Sequence, residues 1–178
     1  MKIVKSLIVA AAIMITSFPV MAYDESGSYF QLGYSHSNYV EDDFDGTYSG
    51  VSLSFGSYVK NFYVGAKIAY LGGATLNYPY GYSVTVNAYE FMPEVGLNTR
   101  FSDGDIRAWA SVGLDYVLVV VSDYNGSMAD SNIGVAFNGG LSANVTDQTF
   151  VFFEGTLRPY AFDGVEINSM KIGFGFNF

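Results

Sequence analysis

The 178 residues carry 8 Lys+Arg against 17 Asp+Glu, a formal net charge of −9, with 50% hydrophobic and 17% aromatic residues and no cysteine. So acidic a chain does not bind nucleic acid through its surface, and without Cys it has neither a disulfide framework nor thiol chemistry. Beyond the amino-terminal segment the longest purely apolar run is Tyr116 to Val121, far short of the ~20 residues that a membrane-spanning helix needs.

Residues 1–22 read as a cleaved signal peptide. Lys2 and Lys5 form a positive start, Leu7 to Ile15 a short apolar stretch, and Val20-Met21-Ala22 a small-residue cleavage site. The mature part, 23–178, is then a single β-barrel domain. Removing Lys2 and Lys5 leaves 6 basic against 17 acidic residues, or −11.

The mature sequence divides at Gly, Asn, Asp and Ser clusters into eight segments of period-two alternation. The first, about Tyr29 to His36, sets Phe30, Leu32 and Tyr34 against Gln31, Gly33 and Ser35. The second, about Tyr48 to Tyr58, sets Val51, Leu53 and Phe55 against Ser52, Ser54 and Gly56. The third, about Phe62 to Leu71, sets Val64, Ile68 and Tyr70 against Tyr63, Gly65 and Lys67. The fourth, about Val84 to Phe101, sets Tyr89, Phe91, Val95 and Leu97 against Glu90, Met92, Glu94 and Asn98.

The fifth, about Ile106 to Val121, sets Val112, Leu114 and Tyr116 against Arg107, Trp109, Ser111 and Asp115. In the sixth, about Ile133 to Val145, Val135, Phe137 and Leu141 oppose Asn138, Ser142 and Asn144. In the seventh, about Phe150 to Phe162, Val151, Phe153 and Leu157 oppose Phe152, Glu154, Thr156 and Arg158. The eighth ends the chain: Met170, Ile172, Phe174, Phe176 and Phe178 alternate with Ser169, Lys171, Gly173, Gly175 and Asn177. An apolar face outside and a small or polar face inside is the pattern of a transmembrane barrel, which crosses a bilayer in roughly 9–11 residues per strand. The expected fold is all-β, an eight-stranded antiparallel up-and-down transmembrane β-barrel.

The connections are expected to alternate in length. Short ones fall at 59–61, 102–105 and 146–148, longer ones at 37–46, 72–83 and 122–132, and the last, 163–166, is short again. Short turns belong on the periplasmic side and long loops outside, which puts both termini in the periplasm. Glu41, Asp42, Asp43 and Asp45 make the first long loop an acidic rim. It reads as a solvated face, and no metal site is assigned to it.

Eight ionisable residues share the inner phase: Lys67, Glu90, Glu94, Arg107, Asp115, Glu154, Arg158 and Lys171. Four are basic and four acidic, as an interior that tolerates charge only in pairs requires. An eight-stranded barrel is just wide enough for side chains to fill it, so the expectation is a closed, ion-paired interior. Symmetric folding of the third and fourth segments makes Lys67 and Glu90 the expected pair. Trp109 shares the inner phase, although interfacial Trp is common in girdles.

The alternating ending Ile172-Gly173-Phe174-Gly175-Phe176-Asn177-Phe178, together with the signal peptide and the eight segments, resembles the small eight-stranded outer-membrane barrels of Gram-negative bacteria. These include the transmembrane domain of outer-membrane protein A and the adhesion and invasion barrels related to outer-membrane protein X. The resemblance implies that Ile172, Phe174, Phe176 and Phe178 form the carboxy-terminal assembly signal. Outer-membrane lipid and lipopolysaccharide, and the barrel assembly machinery, are the implied partners. It further implies a role in envelope structure or adhesion, exerted through the outer loops on a surface ligand, with no cofactor and no catalytic residue. The ending at Phe178 leaves no place for a following peptidoglycan-binding domain.

Two other readings compete. A narrow porin would need a passage through the interior. A lipid A-modifying barrel enzyme is suggested by Ser35-His36-Ser37-Asn38, but neighbours on a strand face opposite sides, so His36 does not meet Ser35 or Ser37. A soluble lipocalin-like barrel would reverse the alternation, with apolar residues inside.

Overall fold

The computed structural model describes residues 26–41, 44–78, 82–101, 105–123, 126–162 and 165–178. The expected signal peptide, 1–22, lies outside them. Eight strands follow in order: β1 Ser26–Glu41, β2 Phe44–Val59, β3 Phe62–Tyr78, β4 Tyr82–Phe101, β5 Ile106–Asp123, β6 Gly126–Asn144, β7 Thr149–Phe162 and β8 Val165–Asn177. Each pairs antiparallel with its sequence neighbours, and β1 with β8 closes the barrel. The seam runs from Tyr29↔Asn177 to Val40↔Glu166. At its foot Ser28 N–H donates to Phe178 O at 2.9 Å and Phe178 N–H to Ser28 O at 3.0 Å.

The ladder fixes the barrel's shape. Partner by partner, Ser26 leads to Val59, Phe62, Leu97, Ala110, Gly139, Gly155 and Met170, and back to β1 at His36, ten residues above the start. A stagger of that size around eight strands tilts them by about 40° and gives a radius of about 8 Å.

The alternation read from the sequence carries through. Phe30, Leu32, Val51, Leu53, Val95, Leu97, Phe137, Leu141, Val151, Phe153, Ile172 and Phe174 are exposed on the outside, while Gln31, Ser35, Ser52, Ser54, Asn138 and Thr156 are buried inside. An outside this apolar needs lipid, not water.

The connections depart from the expectation. The three stretches expected to be long loops are mostly strand: β1 and β2 pair up to Glu41↔Phe44, β3 and β4 to Tyr78↔Tyr82, and β5 and β6 to Asp123↔Gly126, while β7 and β8, expected to be joined by a short turn, pair up to Phe162↔Val165. The asymmetry between the two ends therefore lies in how far the strands run past the apolar band. Polar residues on both faces of a strand signal water on both sides as readily as a loop. Glu41, Asp45 and Tyr82 fall at the hairpin ends, whereas Asp42, Asp43 and Pro79 to Gly81 lie outside the described residues.

Two irregularities matter for the site. Between Leu71 and Ala74 the register of β3 on β4 shifts, with Gly72 and Gly73 set against Asn87 alone. Gly73 takes φ +88°, the left-handed backbone that glycine supplies in a bulge. Between β6 and β7, pairing covers only Phe137↔Leu157 to Asn144↔Phe150, although β6 begins at Gly126.

Candidate functional site

The interior is built in three layers. Nearest the chain termini is an aromatic layer of Tyr29, Tyr58, Tyr63, Phe150 and Phe152, with Trp109 packed against it. Inward glycines make room for it: a Cβ on Gly65 would stand 2.7 Å from the Tyr29 hydroxyl, and one on Gly33 2.9 Å from the Phe152 ring. The Arg107 guanidinium lies 3.8 Å over the Tyr58 ring and that of Arg100 5.0 Å from it, cation–π contacts that close the terminal end.

The middle layer is ionic. Lys67 Nζ lies 2.6 Å from Glu154 Oε2 and 3.0 Å from Glu94 Oε2. Glu94 Oε2 also accepts from Ser111 Oγ at 2.6 Å and Asn138 Nδ2 at 3.0 Å, and Asn138 Oδ1 accepts from Thr156 Oγ1 at 2.7 Å. Trp109 Nε1 donates to Glu154 Oε2 at 3.4 Å, so its ring belongs to the interior and not to the girdle. Lys171 Nζ stands 3.5 Å from Glu154 Oε1 without a hydrogen bond.

Above this cluster, Arg158 uses its whole fork. Nη2 donates to Glu90 Oε2 at 2.8 Å, Nη1 to Ser169 Oγ at 2.9 Å, and Nε to Asp115 Oδ2. Planar, multiply bonded guanidinium is the cation best suited to a buried site.

A third, aliphatic layer of Leu71, Ala88 and Val117, with Tyr48 and Val119 against it, lies towards the hairpin end. Among the described residues the lumen holds voids of about 30 Å³ and 10 Å³, room for single waters and not for a file of them.

All eight sequence-derived charges point inward, and seven are buried, the half-buried Arg107 serving the aromatic layer. The expected Lys67–Glu90 pair is corrected. Lys67 stands opposite Met92 and Glu90 opposite Ala69, because the β3–β4 hairpin folds about 80 instead of 78. Glu90 bonds Arg158 instead. Ser111, Asn138, Thr156 and Ser169 complete the networks, and sequence reasoning passed over them although they share the phase of the charges.

On the outside, His36 Nδ1 lies 2.9 Å from Ser49 Oγ, its cross-strand partner. Among the described residues no carboxylate hydrogen-bonds that imidazole, and three or more His, Cys, Asp or Glu never group as metal ligands. Ile172, Phe174, Phe176 and Phe178, the residues expected to form the assembly signal, all point out, Phe178 being 78% exposed.

The family model for the outer membrane protein beta-barrel domain matches residues 8–178. The chain belongs to the outer-membrane protein β-barrel family. Membership places it in the bacterial outer membrane. Among solved structures this barrel is similar to Ail, the attachment invasion locus protein of Yersinia pestis. The two are 17% identical, with a TM-score of 0.67 over 86% of this chain and 99% of that one. Neisserial surface protein A is similar at 10% identity and a TM-score of 0.70, over 87% and 100% of the two chains. At these identities the likeness is one of fold. A search of curated proteins gave no match.

Proposed function

We propose that this outer-membrane barrel acts without catalysis, as an envelope and surface-interaction protein whose working part is the hairpin end. The observation that carries this reading is the division of labour along the axis. The lumen is filled by three packed layers whose buried charges are drawn together in ion pairs, while the strands run on past the apolar band and carry their acidity there. The segments 37–48, 72–88, 118–133 and 159–168 contain Glu41, Asp42, Asp43, Asp45, Asp123, Asp130, Asp163 and Glu166, and no Lys or Arg. With the termini periplasmic, this end faces the outside of the cell.

The sign of that charge bears on the ligand. Ail of Yersinia pestis has been crystallised with sucrose octasulfate, a heparin analogue. An acidic hairpin end repels such a polyanion, so the ligand here is not a sulfated glycan. Immobilised heparin is expected to leave the folded protein unretained at low salt, where attraction would be strongest. The decisive experiment compares cells with and without the protein for adhesion and serum survival, alongside cells whose hairpin tips are shortened to minimal turns. Loss of adhesion in both altered strains is the expected result. Adhesion and survival undiminished by deletion overturn the reading.

A further inference from the structure

We propose that the periplasmic mouth of the barrel binds a phosphate group between Arg100 and Arg107, with Lys60 on the same rim. The site lies at the end opposite the acidic hairpins, so it stands whether or not the surface-interaction reading holds.

The alternation places these cations. On β4 the even residues face the lumen, from Glu90 and Glu94 to Asn98, and Arg100 continues that phase at the strand's foot. On β5 the odd residues face in, and Arg107 opens the row that Trp109, Ser111 and Asp115 follow. The register sets Arg100 directly against Arg107. Both guanidiniums crowd one ring, at 5.0 Å and 3.8 Å from the centroid of Tyr58. Asn98 ties the third cation to them. Its Nδ2 donates to Lys60 O at 3.4 Å and its N–H to Asn61 O at 2.7 Å, so the β2–β3 turn is held against the foot of β4.

Like charges directly opposite each other on neighbouring strands repel. The chain does not offset this pair from its own carboxylates. Of the six basic residues after position 22, Lys67, Arg158 and Lys171 stand beside buried acids, whereas among the described residues no carboxylate forms an ion pair with Lys60, Arg100 or Arg107. Asp105, exposed at the β4–β5 turn, is no exception. The Tyr58 ring attracts both arginines through its face, but a ring face leaves the N–H edges free. One of those edges is orphaned: Arg107 Nε is buried and meets no hydrogen-bond acceptor. A buried donor without an acceptor is costly, and such a group calls for a partner.

The two forks name that partner. A guanidinium edge matches two phosphate oxygens at once, and the tetrahedral group has oxygens enough for both arginines. A carboxylate, with two oxygens and one charge, serves a single fork. Asn98, together with Ser142, the β6 partner of Arg107, borders the void of about 30 Å³ beside the guanidinium, which adds neutral donors at the same place. Arg100 is exposed and Arg107 half-buried, so the phosphate arrives from the periplasmic side. Two sources share this chemistry: the free anion of the periplasm, and the headgroup of an inner-leaflet lipid at the same height.

The test follows the side-chain Nε–H signals of Arg100 and Arg107 by NMR in the folded, isotope-labelled barrel. In maltoside micelles, which bear no phosphate, added inorganic phosphate is expected to shift both signals saturably, and chloride at equal ionic strength is not. Arg100→Gln changes an exposed residue on which no ion pair depends, and should weaken phosphate binding about tenfold or more. Arg107→Lys keeps the charge, loses the fork and should weaken it too. Phosphatidylglycerol nanodiscs separate the sources. A shift there before any phosphate is added assigns the site to the lipid headgroup, and a shift that waits for added phosphate assigns it to the free anion. Either result upholds the site. No saturable shift in micelles or nanodiscs overturns the proposal. An equal response to chloride, or phosphate affinity unchanged in Arg100→Gln, overturns it as well, because attraction would then be a matter of field alone.

Discussion

Lys67 is the cation on which two buried carboxylates depend, since Glu94 and Glu154 both lie within 3.0 Å of its Nζ. Lys67→Met leaves them facing each other with only Lys171 nearby, at 3.5 Å from Glu154 and making no hydrogen bond. Stranding buried charge in this way costs about 3–5 kcal/mol. Denaturant unfolding from lipid vesicles, followed by the fluorescence of Trp109, should show that loss, and a smaller one for Lys171→Met. Equal stability of Lys67→Met and the wild type would mean that these charges are wet and independent. Adding Glu94→Gln to Lys67→Met should restore part of the loss, because one uncompensated charge goes with it. The phase of every interior charge was readable from the sequence, since period two needs no knowledge of neighbours. The partners were not, because pairing depends on where each hairpin turns. A shift of two residues at the β3–β4 tip put Met92 opposite Lys67 and sent Glu90 to Arg158.

At the scale of the strand, β7 and β8 carry the signals that the chain spells out in letters. Pro159 marks where β7 stops pairing with β6, and Pro159→Val should return the missing donor. Hydrogen exchange at Val135 and Ile133 is expected to slow in that variant, with the amides of β5 unchanged. In β8, Phe178 is 78% exposed and packs on little, yet its backbone closes the seam with Ser28. If the ring is read during insertion, as the resemblance implies, its loss affects assembly more than the folded state. Phe178→Ala should refold in short-chain lipid like the wild type and reach the outer membrane in several-fold lower amount. A matching loss of stability in the purified variant would point to packing instead. The loops were misread for a physical reason. Gly, Ser, Asn and Asp read as loop by composition even where the backbone continues a ladder, so 37–41, 74–78 and 126–132 have the composition of connections although they continue β1, β3 and β6; at 126–131 both faces of the strand are exposed.

For the whole molecule the order of the layers decides what the lumen does. Aromatic, ionic and aliphatic layers stand in series along the axis, so the tightest sets the conductance and opening one leaves the others shut. The aromatic layer owes its fit to glycine: Gly65 has no room for a Cβ beside the Tyr29 hydroxyl at 2.7 Å and the Phe55 carbonyl at 2.9 Å. The wild-type barrel should therefore show no steady conductance in planar bilayers. The sharper expectation concerns Tyr63→Ala combined with Phe152→Ala, which empties much of the terminal layer without touching an ion pair. Water then reaches Glu94 and Glu154, but Lys67 and Arg158 still bridge opposite walls above them, binding β3 to β4 and β7, and β7 to β4 and β5. That double variant should lose stability and remain electrically silent. Steady, reproducible steps from it would mean that the ionic layer is a wet, continuous path. The narrow porin would then be the better account of this interior.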